Sequence, residues 1–421
     1  MKKSTRDSII VGFALFSMFF GAGNLIFPGF LGNKLGSEFF IGTIGFILTG
    51  VGLPLLAIIA CSKGDGTFET LAGRVGKKFA IACTAMIFIA IGPMLAIPRT
   101  AATTFEISIN PFFPNIPAFV VMAVYFLINL YFVLGSKSII NTIGKYLTPA
   151  LLVILTAIVL KGVFMPIGSI VDTGATSVLP TALLEGYQTM DALAALLFAS
   201  IITISLKEKG YKGKEIPSMI LKSSLVAVVG LAFVYGGLMY LGAQTVEIAP
   251  NDIGKTGLLL FISKSVLGNM GSTLIGIAMG LACLTTSIGL LDAGSTFFES
   301  VSKGRLPFKF NAILLSVISL FIACLGVDKI VKLSVPVLNI LYPVAITLIA
   351  ITIFSKYLTN LKAVRLGVYT SLVFGLLLAI PGLNLSFIPL ASIGFGWVLP
   401  TLIAILIGYI VFKENSTTKN I

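Results

Sequence analysis

Histidine is absent from the 421 residues, tryptophan occurs once, and charged residues make up only 11% of the chain. Without histidine the chain lacks the usual haem ligand, the commonest metal ligand and the main acid–base group of neutral pH. Haem-based redox enzymes and zinc membrane proteases are therefore poor fits. So little charge cannot cover a soluble chain that is 57% hydrophobic. Cysteine is scarce too. Cys61, Cys83, Cys283 and Cys324 lie in or beside apolar runs with no CxxC pair, and read as small core residues rather than a disulfide framework or metal site. No polar stretch is long enough to fold as a separate soluble domain.

What the chain has is apolar sequence and glycine. Mean hydropathy is +1.06, and 43 glycines suit helices that pack closely or break inside a bilayer. A membrane span takes about 20 apolar residues. Twelve such segments can be marked, at 8–34, 39–60, 79–103, 117–135, 144–165, 189–206, 219–243, 271–298, 309–326, 330–355, 364–381 and 387–412. The N-terminal run lacks a small-residue cleavage site and continues through Phe27 and Pro28, so it reads as a retained first span. The expected fold class is an all-α polytopic membrane protein with 12 transmembrane helices.

Twelve spans put both termini on one side. With the termini in the cytoplasm, only Lys34, Arg99, Lys161, Lys255, Lys264, Lys329 and Lys332 of the 29 cations fall outside, a positive-inside distribution. The net charge of +13 is then accounted for by short cytoplasmic loops facing anionic headgroups, and implies no nucleic-acid partner. KEKGYKGKE at 207–215 is such an orienting loop, and TFETLAGRVGKKF at 67–79 reads as a short amphipathic helix on the cytoplasmic face, with Phe68, Leu71 and Val75 on one side.

The informative places are those where a span spoils its own helix. The first segment reads SMFFGAGNLIFPGF, with Gly21 and Gly23 near its middle and Pro28 a turn later. Glycine lowers the cost of leaving helical geometry and proline removes a backbone bond. Either the helix is kinked for packing, or it is broken; freed N–H and C=O groups at that depth are tolerated only beside a cavity. Segment eight, ACLTTSIGLLDAGSTFFES, places Thr285, Thr286 and Ser287 in a row at mid-span, with Asp292 two turns beyond Thr285. Hydroxyls and carbonyls are the oxygens that hard monovalent cations take; the alternative is that each hydroxyl bonds back to its own helix. Segment six, which offers Ala199, Ser200 and Thr203 at mid-depth, has no glycine or proline pair, so a break there follows only from symmetry with segment one. TAATTFE at 100–106 echoes DAGSTFFE at 292–299 in spans three and eight, as two inverted five-helix halves would place them.

Ionisable residues within spans are functional candidates by default. Asp191 falls near the outer start of segment six, where it either caps the helix or serves gating or coupling. Asp292 is placed to couple protons or to pair with a cytoplasmic-side cation in an inner gate, and Arg99 either snorkels to the outer interface or pairs with Glu106.

Three motifs in order, FFGAGNLIFP, GPMLAIPRTAATTFE at 92–106 and EGYQTMDALAALLF at 185–198, resemble the bacterial branched-chain amino acid carrier family of the amino acid–polyamine–organocation superfamily. The resemblance runs over essentially the whole chain. It implies the leucine-transporter fold: a first five-helix repeat over 1–165, an inverted second over 166–355, and two further helices with a cytoplasmic tail over 356–421. It implies import of leucine, isoleucine and valine by Na⁺ symport with alternating access across the bacterial inner membrane. Na⁺ is then a coupling ion; no cofactor, enzyme activity or obligatory protein partner is implied. LTTSIG resembles the LTSSIA stretch of sodium-coupled relatives. By that likeness the hydroxyls of Thr285 and Thr286 and the carbonyls of Ala282, Ser17 and Phe20 hold Na⁺. Backbone N–H groups at Gly21, Ala22, Gly23 and Asn24 meet the substrate carboxylate, and freed carbonyls of segments one and six meet its ammonium. Phe19, Phe198 and Ile202, beside Ala199 and Ser200, supply an apolar pocket. Ala199 stands where the family leads one to expect glycine, a departure that bears on how segment six unwinds and on the side-chain preference of the pocket. Rival functions are a proton-coupled symporter using Asp292 and a transporter-like nutrient sensor; a membrane enzyme would need acids converging at one depth, and a channel a filter loop.

Overall fold

A computed structural model of the protein describes residues 3–135, 138–213, 215–380, 382–383 and 385–412, without the side chains of Lys3, Ser17, 138–148 and 150. The cytoplasmic tail expected after Phe412 lies outside the described residues, as do Lys2, Lys137 and Lys214 of the expected cytoplasmic cations.

The architecture is all-α. In chain order the helices are α1 Lys3–Phe19, α2 Ala22–Leu35, α3 Phe39–Ser62, α4 Phe68–Gly73, α5 Lys77–Ile109, α6 Ala118–Leu134, α7 Ser138–Phe164 and α8 Val178–Tyr187. They continue as α9 Asp191–Glu208, α10 Glu215–Ala243, α11 Lys255–Leu267, α12 Asn269–Val301, α13 Phe308–Ala323, α14 Val327–Ile353, α15 Leu361–Ala379 and α16 Val398–Val411. Eleven of the twelve apolar segments fall largely on a helix or on a broken pair, and in the last, 387–412, the α-helix covers only Val398–Val411. Among the described residues, α3, α5, α10, α12, α14 and α15 are each long and apolar enough to cross a membrane alone, and α8 with α9 qualify as one bent span.

Side chains such as Leu127, Tyr131, Leu225, Val229, Phe321 and Ile410 leave large apolar groups exposed on the outer faces of α6, α10, α13 and α16. That pattern suits lipid as solvent, since the helices satisfy their backbone internally. Inside, α2 lies along α10 at a distance only glycine allows. A Cβ on Gly32 would sit 2.0 Å from the Met239 carbonyl oxygen, and one on Gly242 1.9 Å from that of Gly29. Backbones in a membrane gain packing contact by this close approach, which side chains would prevent.

One expectation is corrected here. The helix within 67–79 is α4, but Phe68, Leu71 and Val75 are all buried, so its apolar face is turned into the protein rather than onto lipid. The stretches 166–188 and 244–270 carry α8 and α11. Segment six therefore begins about a dozen residues earlier than its apolar run indicated.

Candidate functional site

Three helical rods lose their regular geometry around one enclosed cavity. The first is the α1–α2 pair. Phe20 still donates to Phe16 O at 2.9 Å, but Gly21 is extended (φ −119°, ψ −170°), and its N–H goes to Asn24 Oδ1 at 2.9 Å. In an unbroken helix that N–H would bond Ser17 O. The break thus releases carbonyls at the end of α1 and opens the first N–H groups of α2, a ready-made anion site at membrane depth. Pro28, buried inside α2, does not end it.

The second break lies within α5, where Gly92 leaves helical geometry (ψ −110°) ahead of Pro93. The third separates α8 from α9, bent by 43°. It falls at Gln188–Met190, with Met190 left-handed (φ 63°, ψ 9°). Ala199 is buried within the unbroken helix α9, and Thr203 donates normally to its carbonyl at 2.9 Å.

Tertiary contacts hold the α8–α9 break open, since neither glycine nor proline stands there. Arg99 Nη1 donates to Gln188 O at 2.6 Å and Nη2 to Thr189 O at 3.4 Å. Tyr342 OH donates to Tyr187 O at 2.9 Å, its ring stacked on Tyr187, and Thr189 Oγ1 donates to Gly186 O at 2.9 Å. The carbonyl end of α8 is thus satisfied, and a cation there complements the helix dipole. Arg99 neither snorkels nor meets Glu106. It is 4% exposed, its guanidinium 5.3 Å from the Phe27 ring centre, and Glu106 instead accepts from Thr256 Oγ1 and Val327 N.

Asp191 does not cap its own helix by its side chain. Its Oδ2 accepts from Asn24 Nδ2 at 2.5 Å and from Tyr235 OH at 3.4 Å, and Asn24 also contacts Tyr235 OH. All three residues are buried. Asn24 therefore closes the α2 terminus with its oxygen and reaches α9 and α10 with its nitrogen.

The cavity between these breaks measures about 40 Å³. Of the residues singled out from sequence, it brings together Phe19, Gly21, Ala22, Gly23, Asn24, Phe198, Thr286, Asp191 and Arg99. Ala199, Ser200, Ile202, Thr285, Ala282 and Asp292 are not among its lining residues. Thr286 faces the break, since a Cβ on Gly21 would lie 3.6 Å from its Oγ1. Thr285 Oγ1 donates to Ala282 O at 2.9 Å, the back-bonded arrangement weighed as the alternative for this run. Phe20 is buried at the end of α1, and the side chain of Ser17 lies outside the described residues. Asp292 is half-buried on α12, and among the described residues it has no ion pair.

Sequence reasoning missed Tyr235, Gln188, Thr189 and the Gly92–Pro93 break. The last had a signal, the GP dipeptide inside an apolar run. Tyr235 had none, because a tyrosine in a membrane helix is commonplace.

Discontinuous helices around an enclosed, mostly apolar cavity at membrane depth define a multi-pass membrane transporter. A family model described as a branched-chain amino acid transport protein matches residues 4–415, and the chain belongs to that family. It is 36% identical over 441 residues to the branched-chain amino acid permease BrnQ of Bacillus subtilis (strain 168), covering 99% of each chain. To the permease BraB of the same organism it is 35% identical, covering 96% of this chain and 95% of the relative. The branched-chain amino acid transport system 2 carrier protein of Pseudomonas aeruginosa is 34% identical, with 96% and 95% covered. Among solved structures it resembles Mhp1, a nucleobase-cation-symport-1 family transporter, closed with bromovinylhydantoin bound. There the TM-score is 0.64 at 14% identity, covering 96% and 93% of the chains. It also resembles MhsT in complex with L-phenylalanine, with TM-score 0.58 at 17% identity, covering 95% and 98%. At such identities these likenesses carry the fold alone, and that fold is leucine-transporter-like. The family transports rather than catalyses.

Proposed function

We propose that the protein imports leucine, isoleucine and valine by Na⁺ symport with alternating access. The observation that carries this is the α1–α2 break, whose opened N-terminus faces Thr286 across the cavity. The N–H groups of Ala22, Gly23 and Asn24 receive the substrate carboxylate, and carbonyls freed at the end of α1 turn towards its ammonium. Phe19 and Phe198 give the side chain an apolar wall. Na⁺ takes carbonyl oxygens of Ser17, Phe20 and Ala282 with the hydroxyls of Thr285 and Thr286; Thr285 must then release Ala282, a rotation of one side-chain bond. The chain crosses the bacterial inner membrane twelve times as repeats 1–165 and 166–355 followed by two helices over 356–421, with both termini cytoplasmic. It uses no cofactor and requires no protein partner.

Radiolabelled leucine uptake into proteoliposomes tests this. An inward Na⁺ gradient is expected to drive accumulation, competed by isoleucine and valine, where matched K⁺ and pH gradients do not. Thr285→Ala combined with Thr286→Ala is expected to abolish the Na⁺ dependence. Uptake driven by the pH gradient alone would overturn Na⁺ coupling. Coupling through Asp292 draws no support from its position away from the cavity.

A further inference from the structure

We infer that Asp191 is the side chain that holds the ammonium of the transported amino acid. The inference rests on the substrate reading above and adds to it a charged partner.

The backbone at segment six is a poor host for an ammonium. Gln188 O and Thr189 O already accept from the cationic Arg99, whose charge repels a second cation, and Tyr187 O accepts from Tyr342 and Gly186 O from Thr189. What that side of the cavity presents instead is the Asp191 carboxylate. An ionised carboxylate offers about four acceptor sites. Asn24 and Tyr235 both approach Oδ2, while the Asp191 backbone N–H donates to Thr189 Oγ1 at 3.3 Å. Capacity therefore remains for a further donor, and an ammonium carries three N–H groups.

Position argues the same way. The ammonium and carboxylate of an amino acid are separated by a single carbon, so their partners must be neighbours. Asn24 makes them so: its oxygen takes the Gly21 N–H at the opening of α2, and its nitrogen bonds Asp191. The anion-binding end of α2 and the carboxylate of α9 are thus the two sides of one side chain. Charge agrees as well. Among the described residues, the ionisable side chains lining the cavity are Arg99 and Asp191, and the Nη2 of Arg99 lies 2.8 Å from where a Cβ on Gly23 would be. Arg99 also lies within electrostatic reach of Asp191, so the two charges stand close together, as the two ends of one zwitterion require. A buried carboxylate is costly unless paired; in this site Arg99 offsets part of that cost and the substrate ammonium adds to the pairing. Asn24 and Tyr235 are positioning residues that fix the rotamer of Asp191.

Equilibrium binding to the purified protein in saturating Na⁺ tests the assignment, with labelled leucine competed by 4-methylpentanoate, which is leucine without its amino group. The wild type is expected to bind 4-methylpentanoate at least about 100-fold more weakly than leucine, a gap that a lost charged contact can supply. Asp191→Asn is expected to weaken leucine by about 10- to 100-fold and to leave 4-methylpentanoate unchanged or tighter, so the gap between the two ligands closes. Asp191→Glu is expected to keep the wild-type ligand order. Parallel weakening of both ligands in Asp191→Asn would mean a structural role only, and a change confined to the Na⁺ concentration dependence would make Asp191 an ion ligand; either overturns the inference. If Asp191→Asn does not fold, the wild type still decides, because 4-methylpentanoate binding within about three-fold of leucine would exclude an ammonium-specific partner. Leucine bound equally in Na⁺ and K⁺ would sink Na⁺ coupling while leaving the ligand ratio to judge Asp191.

Discussion

At the scale of the residue, Gly23 is the most constrained position of the site. A methyl group there would meet Arg99 Nη2 at 2.8 Å and Phe27 Cε2 at 3.1 Å. Gly23→Ala must therefore push the guanidinium away from Gln188 O and Thr189 O. Leucine transport is expected to fall at least about ten-fold, since one charge-assisted hydrogen bond is worth roughly 1.5–3 kcal/mol. The variant should still reach the membrane, as uptake normalised to surface expression would show. At Gly21 and Gly23 the sequence allowed either a kink for packing or a break, and the extended backbone of Gly21 decides for the break; the part given to Asn24 came only from the family resemblance. The roles of Arg99 and Asp191 were not legible in the sequence, and both misreadings share one cause. Apolar windows ended α5 at residue 103 and began segment six at 189, whereas the helices run to Ile109 and from Val178. Each residue was placed near a span end and is in fact near a span centre.

Elements carry a second lesson. The break in segment one announces itself by local chemistry, while the break between α8 and α9 is imposed from outside, by Arg99 on α5 and Tyr342 on α14. No local pattern could reveal it, since the residues responsible are 89 and 155 positions away in sequence. The α2–α10 contact is the most exacting helix pair described above. Gly32→Ala or Gly242→Ala would drive a methyl group into a carbonyl oxygen at 2.0 or 1.9 Å. Overpacking of this kind costs about 1–3 kcal/mol or more, so a lower melting temperature in detergent is expected for both. Gly289→Ala on α12 is the control. A Cβ there meets nothing within 4 Å, and alanine favours a helix over glycine by roughly 0.5–1 kcal/mol, so its melting temperature should hold or rise.

For the whole molecule, the bilayer decides the fold more than any motif does. That is why the helices could be marked out from hydropathy while the polar geometry at their centre could not. The native cysteines give a direct test of orientation. Cys61, Cys83 and Cys283 are buried, and Cys324, just past the end of α13, is exposed. With both termini cytoplasmic, α13 ends outside. A membrane-impermeant maleimide is expected to label intact cells expressing the wild type once, and not to label Cys324→Ser. Labelling of Cys324 only in inside-out vesicles would reverse the topology.

The size of the central cavity sets the tempo of transport. A space of about 40 Å³ holds about three water molecules, at roughly 10–15 Å³ each, and is too small for a branched aliphatic amino acid with both its charged ends. Under the proposed function, leucine is expected to reach that space only after the broken rods swing apart. Loading is then expected to level off, as external leucine rises, at the protein's own opening rate, a microsecond-to-millisecond event.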